Sequence, residues 1–194
     1  MHQEPGAPLT RTVTLVMAEG RRVNRLGREL SPSLFGALID EYQYLLRNVL
    51  LRAGGRQFEV SEDTAIAVFP TAKEGALAAT DLLTVVAMHE WPHKRDVDVS
   101  VGVHSAEVGS GWLGLARIRC QALCDAAEGG QVFLSPSAAV LLEGEDLGDL
   151  AIRDLGEQVT RRSGSPVRAF ELVPAAPGDT LGSPRRSRER CLLE

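Results

Sequence analysis

Residues 54–79, GGRQFEVSEDTAIAVFPTAKEGALAA, decide how the rest of the chain is read. Gly54-Gly55 ends whatever precedes it. Gln57 to Val60 and Ala65 to Phe69 are short runs rich in strand formers. Ser61-Glu62-Asp63-Thr64 between them is polar, so the segment is a hairpin with an acidic turn. After Pro70 the composition switches to Ala and Leu, and a helix is expected over about 72–88.

Upstream, Ser31 is an N-cap residue followed by Pro32 in the first turn. Leu34, Leu38, Tyr42, Leu45, Leu46 and Val49 then recur on one face, so a helix runs from there to the glycine pair. Before it, TVTLVMA (12–18) is an apolar strand, and Gly20 to Arg28 is polar and basic. Downstream, VDVSVGVHSAEV (97–108) alternates as a strand does, and residues 114–127 form a helix closed by Gly129-Gly130. QVFLS is a strand, Pro136 to Leu142 a short helix, and 150–155 with 167–172 a last strand pair. The order opens as β-α-β-β-α-β, the ferredoxin-like split unit, in which an antiparallel sheet carries helices on one face. The expected fold is α+β, one domain over about 11–173, between a flexible segment 1–10 and a disordered basic tail 174–194.

Composition excludes several classes. Hydrophobic residues at 44% and charged residues at 24% suit a globular domain. A formal charge of −5 leaves no electrostatic footprint for nucleic acid. No stretch approaches the roughly 18 apolar residues of a membrane span, and the N-terminus has no apolar signal core. Three cysteines without disulfide spacing suit a reducing compartment, and the cytoplasm is the expected location.

Two motifs mislead. HEWPH (89–93) matches the H-E-x-x-H zinc pattern, but Pro92 interrupts the helix that would aim both imidazoles at one ion, so the segment reads as a loop. Cys120 and Cys124 share a helix face at i, i+4 with no further ligand at metal spacing, and read as small buried residues. His104, within an alternating strand, reads as a satisfied core or interface histidine.

TVTLVMAEG, AVFPTA before an alanine-rich helix, VGVHSAEV and GGQVFLS, in this order and spacing, resemble the catalytic domain of class III nucleotidyl cyclases, the adenylate/guanylate cyclase homology domain. The resemblance covers residues 12–173. It implies a head-to-tail dimer with its cleft between chains, two aspartates holding Mg²⁺ or Mn²⁺ on a nucleoside triphosphate, a base-reading pair, and an Asn and Arg that steady the transition state. Transferred position by position, the first metal aspartate falls on Glu19 and is followed by Arg21 and Arg22, which could instead receive phosphate oxygens. The second falls on Asp63, whose flanking glycines have become Glu62 and Thr64. The base-reading lysine falls on Glu59 and its partner on about Gly111, while the transition-state Asn and Arg become Ile118 and Ala122. Arg117 and Arg119 are close in sequence to those slots but face other directions.

These departures set three expectations. The leading one is a degenerate cyclase homology domain, without turnover of its own, acting as a regulatory pairing module in a homodimer or with a cyclase-like chain. The second is the subunit that supplies metal carboxylates Glu19 and Asp63 to a complementary partner. The third is a nucleotide sensor without turnover. Asp63 itself is either a retained cation ligand or turn chemistry alone.

Overall fold

The computed structural model describes residues 11–92, 97–108 and 112–175. The first strand is β1 (Arg11–Gly20), followed by α1 (Val23–Glu29) and α2 (Pro32–Arg52). The hairpin is β2 (Arg56–Val60) and β3 (Thr64–Phe69), and α3 (Ala72–Met88), β4 (Val99–Val108) and α4 (Trp112–Ala126) come next. β5 (Val132–Leu134), α5 (Pro136–Leu142), β6 (Leu150–Val159) and β7 (Pro166–Pro174) complete the order.

All seven strands join one sheet, β2-β3-β1-β4-β5-β7-β6. Its first four strands are mutually antiparallel and have the split ferredoxin order. β5 adds parallel to β4, and β7 and β6 close that edge antiparallel. β1 is central, and its register sets Glu19 opposite Thr64 on one side and Ser100 on the other.

Alternation along β1 separates two cores. Val16 and Ala18 point to the side where Leu38, Tyr42 and Leu46 of α2 meet Ala76, Ala79 and Leu82 of α3. Val13, Leu15 and Met17 point the other way, onto Ala116, Cys120 and Cys124 of α4. The expectation that helices sit on one face holds for α2 and α3; α4 lies on the opposite face. β4 allows that close approach through Gly102, where a Cβ would stand 2.5 Å from the Cys120 carbonyl oxygen. Both thiols point inward, Cys120 Sγ donating to Leu15 O (3.4 Å) and Cys124 Sγ to Met17 O (3.1 Å). Burial pushes both thiol pKa values up, so neither is a ready thiolate.

Local chemistry sets the helix starts. Ser31, Thr71 and Ser135 each accept the N–H three residues on, from Leu34, Glu74 and Ala138, and Pro32 and Pro136 occupy the first turns that follow. α1 falls in the segment read only as polar and basic. It carries two buried apolar residues, Val23 and Leu26, three apart, with Arg25 and Glu29 paired across its outer side at 3.3 Å. α3 ends at Met88, and His89 turns to Glu41 (2.8 Å) and against the edge of Trp91. His93 lies outside the described residues, as do segment 1–10 and the tail beyond Ala175.

Candidate functional site

Glu19 is 4% exposed at the end of the central strand. A carboxylate so placed needs partners, because an unpaired buried charge is strongly unfavourable. Three side chains from separate parts of the chain supply them. Gln121 of α4 donates to Oε2, and Arg162, from the turn between β6 and β7, reaches both oxygens, with its second amino group 3.4 Å from Oε2. Arg21 approaches Oε1 at 3.8 Å.

The arginine turn is itself anchored. Thr160 and Ser165 close it by a backbone hydrogen bond of 3.0 Å, and the Arg162 N–H donates to Asp125 Oδ2 at 2.7 Å. Arg161 donates to the carbonyls of Asp125 (2.8 Å) and Ala127 (2.5 Å), answering orphan acceptors at the C-terminus of α4 with a cation, as the helix dipole favours.

Asp63 lies beside this corner. Its carbonyl oxygen accepts the Gly20 N–H (2.7 Å) and the Tyr42 hydroxyl (3.1 Å), and its carboxylate accepts the Thr64 hydroxyl (3.0 Å). Gly20 is required there: a Cβ would stand 2.5 Å from Val23 and 3.0 Å from the Tyr42 oxygen. Burial first, then the charges of Asp63 and Glu19, hold the Tyr42 phenol well above its ordinary pKa, so one hydroxyl feels both candidate carboxylates. The β1–β3 register sets Glu19 opposite Thr64, the neighbour of Asp63, at one end of the sheet. Their donor set is another matter. Both oxygens of Glu19 are engaged by N–H groups, two guanidiniums flank it, and among the described residues no three His, Cys, Asp or Glu side chains converge as a metal group. Mg²⁺ and Mn²⁺ require free, hard oxygen ligands. As placed, these residues do not fit either ion.

Arg21 and Arg22, the candidate phosphate contacts, have partners within the chain. The Arg21 guanidinium is largely buried and lies 3.5 Å from the Cys124 carbonyl oxygen, in addition to Glu19. Arg22 is half-exposed and 3.9 Å from Asp98 Oδ1, a buried oxygen without a hydrogen-bond partner among the described residues.

The remaining positions lie on α4 and the hairpin edge. Arg117 Nη1 donates to both carboxylate oxygens of Glu59, at 2.6 and 2.5 Å, and this contact lowers the carboxyl pKa. The pair ties β2 to α4 in open solvent. Ile118 is 65% exposed on α4, and Ala122, one turn on, is half-buried. Gly111 lies outside the described residues. Gln121, Asp125 and Arg162 went unrecognised in the sequence, where TRRSG (160–164) is an ordinary polar turn 143 residues from Glu19.

His104 behaves as a satisfied core histidine. Its Nδ1 lies 2.9 Å from the Ser135 hydroxyl, and burial, with Arg119 nearby, lowers its pKa to about 4. A cavity of about 430 Å³ opens beside it, between Arg119, Ser137 and Arg168.

Comparison with known proteins assigns the architecture. No protein-family model matches the chain. Uncharacterised proteins of Mycobacterium tuberculosis and Mycobacterium bovis are 26% identical over 170 residues, 85% of this chain; the chain spans 57% of their length. Among solved structures, an adenylate cyclase of Trypanosoma brucei in its monomeric state superposes with a TM-score of 0.69 at 18% identity, over 87% of this chain and 91% of that one. The adenylyl cyclase CyaB of P. aeruginosa gives 0.65 at 17%, over 86% and 96%. The guanylate cyclase domain of RhGC from Catenaria anguillulae, solved with GTP, gives 0.68 at 12%, over 86% and 98%. The fold is that of the class III adenylate and guanylate cyclase catalytic domain. No helix among the described residues is long and apolar enough to cross a membrane.

Proposed function

We propose that this chain is a nucleotidyl cyclase homology domain without turnover of its own, retained as a cytoplasmic signalling module that pairs with itself or with a cyclase-like chain. The observation that carries the reading is α4: where the resemblance calls for an asparagine and an arginine, Ile118 lies exposed and Ala122 half-buried, and neither can donate a hydrogen bond. Losing one oriented transition-state donor costs about 10²- to 10³-fold in rate, so losing both leaves a self-paired site slower by several orders of magnitude, even with non-additive effects. The apolar residues that form the two cores are kept, which preserves the scaffold a pairing module needs. The test is the purified chain with ATP or GTP and Mg²⁺ or Mn²⁺, alongside sedimentation analysis. No cyclic nucleotide and a concentration-dependent dimer support the reading; turnover at ordinary enzymatic rates removes it.

A second reading has one observation in its favour. The strand register places Glu19 opposite Thr64, next to Asp63, so both carboxylate residues stand at one end of the sheet, as a carboxylate-supplying subunit needs. Co-expression with a complementary cyclase chain then yields activity that Asp63→Ala abolishes; activity indifferent to that change counts against it.

A further inference from the structure

We infer that the guanidinium of Arg162 takes the place of a divalent cation at Glu19, which makes this cleft internally neutralised and independent of Mg²⁺ or Mn²⁺. The inference rests on the cyclase-homology reading for the expectation of a metal there. Its content comes from the geometry of the corner itself.

A dication at a buried carboxylate supplies positive charge and fixes the oxygen positions. Arg162 does both. It meets both oxygens of Glu19 from a turn held by its own backbone bond to Asp125 and by Arg161 at the end of α4. Gln121 adds a further donor to Oε2, and Arg21 adds a second cation 3.8 Å from Oε1. A planar fork is suited to a carboxylate in a way that a spherical ion is not, and it is permanently charged. The longer side chain of Glu19, where the resemblance calls for aspartate, carries the carboxylate one methylene further from β1, toward the turn that bears Arg162. For a metal to bind, the arginine would have to leave Glu19 and give up its 3.9 Å approach to Asp125 as well.

The probe is Mn²⁺ alone, without nucleotide, titrated against the full chain and followed by the paramagnetic resonance signal of the free ion and by thermal melting. This readout is separate from turnover and from pairing. The wild type is expected to leave the signal and the melting temperature unchanged into the millimolar range. Arg162→Gln, which frees the Glu19 oxygens, is expected to bind Mn²⁺ roughly tenfold more tightly than the wild type, and adding Glu19→Gln to that variant is expected to abolish the gain. If Arg162→Gln does not fold alone, Mn²⁺ restores its folded circular dichroism spectrum. Wild-type binding that Glu19→Gln removes overturns the inference. So does a folded Arg162→Gln protein with no gain in affinity, or an unfolded one that the ion does not rescue.

Discussion

Two ion pairs, Glu19 with Arg162 and Glu59 with Arg117, involve candidate site residues of the same sheet and differ in physical character. The Glu19 side chain is 5% exposed and meets Arg162, itself 55% exposed, among further donors. Glu59 and Arg117 are 53% and 43% exposed, and one guanidinium nitrogen makes their contact in solvent, next along α4 to the exposed Ile118. The distances are similar and the energetics are not. Water screens the second pair from both sides and leaves it dispensable, whereas the buried Glu19 carboxylate depends on the donors that reach it. An ion-paired carboxylate is thus structural where it is buried, and incidental where it is exposed.

The sharpest break of this comparison is Arg162→Ala. It strips a buried carboxylate of its main partner and should cost about 3 kcal/mol, with Arg21 and Gln121 limiting the damage. In a domain of this size that lowers the melting temperature by roughly 10 °C. Denaturant unfolding followed by fluorescence measures it, and a loss under 1 kcal/mol would put the Glu19 corner on a level with the surface pair.

A buried neutral group gives the next effect. His104 has a folded pKa of about 4, below its unfolded value near 6.5, so the unfolded chain binds the proton first as pH falls. Stability is full above the unfolded value and declines between pH 6.5 and 4, by about 3 kcal/mol from this residue. The slope in urea midpoints across that window should flatten in His104→Gln.

Much of this was open to sequence reasoning wherever the signal is local. The bounds of α3 follow from Pro70 and the Thr71 cap at one end and Pro92 soon after the other. The strand β1 announces itself by seven consecutive residues that are apolar or β-branched, because it is buried on both faces. That same feature conceals which face receives α4: a run buried on both sides carries no alternation to read. α1 is too short for its period to show, and its two buried residues are interleaved with two arginines, Arg25 and Arg28. Glu19 and Asp63 were singled out only through the resemblance, which gave no sign of the partner of Glu19. Arg162 sits in a polar turn whose composition equally suits solvent, and only the sheet order brings it across the corner.

Smaller effects test the exposed side of the comparison. Arg117→Ala should change stability by less than about 1 kcal/mol, and that loss should vanish at 1 M salt. Unfolding curves at low and high salt decide this, and a salt-independent loss above 2 kcal/mol would mean the hairpin edge is as integral as the buried corner. Ile118→Asn should be smaller still, within about 0.5 kcal/mol, since the side chain makes few contacts to lose. Restoring both family types, with Ile118→Asn and Ala122→Arg together, should leave the fold intact and still yield no cyclic nucleotide while Arg162 holds Glu19.

A double-mutant cycle on Glu19→Gln and Arg162→Ala measures the central contact directly, because it isolates the pair from the other donors around it. A coupling of about 2 kcal/mol or more, unchanged by Mg²⁺, is the predicted result. A coupling under about 0.5 kcal/mol, or one that appears only when Mg²⁺ is removed, would contradict the account.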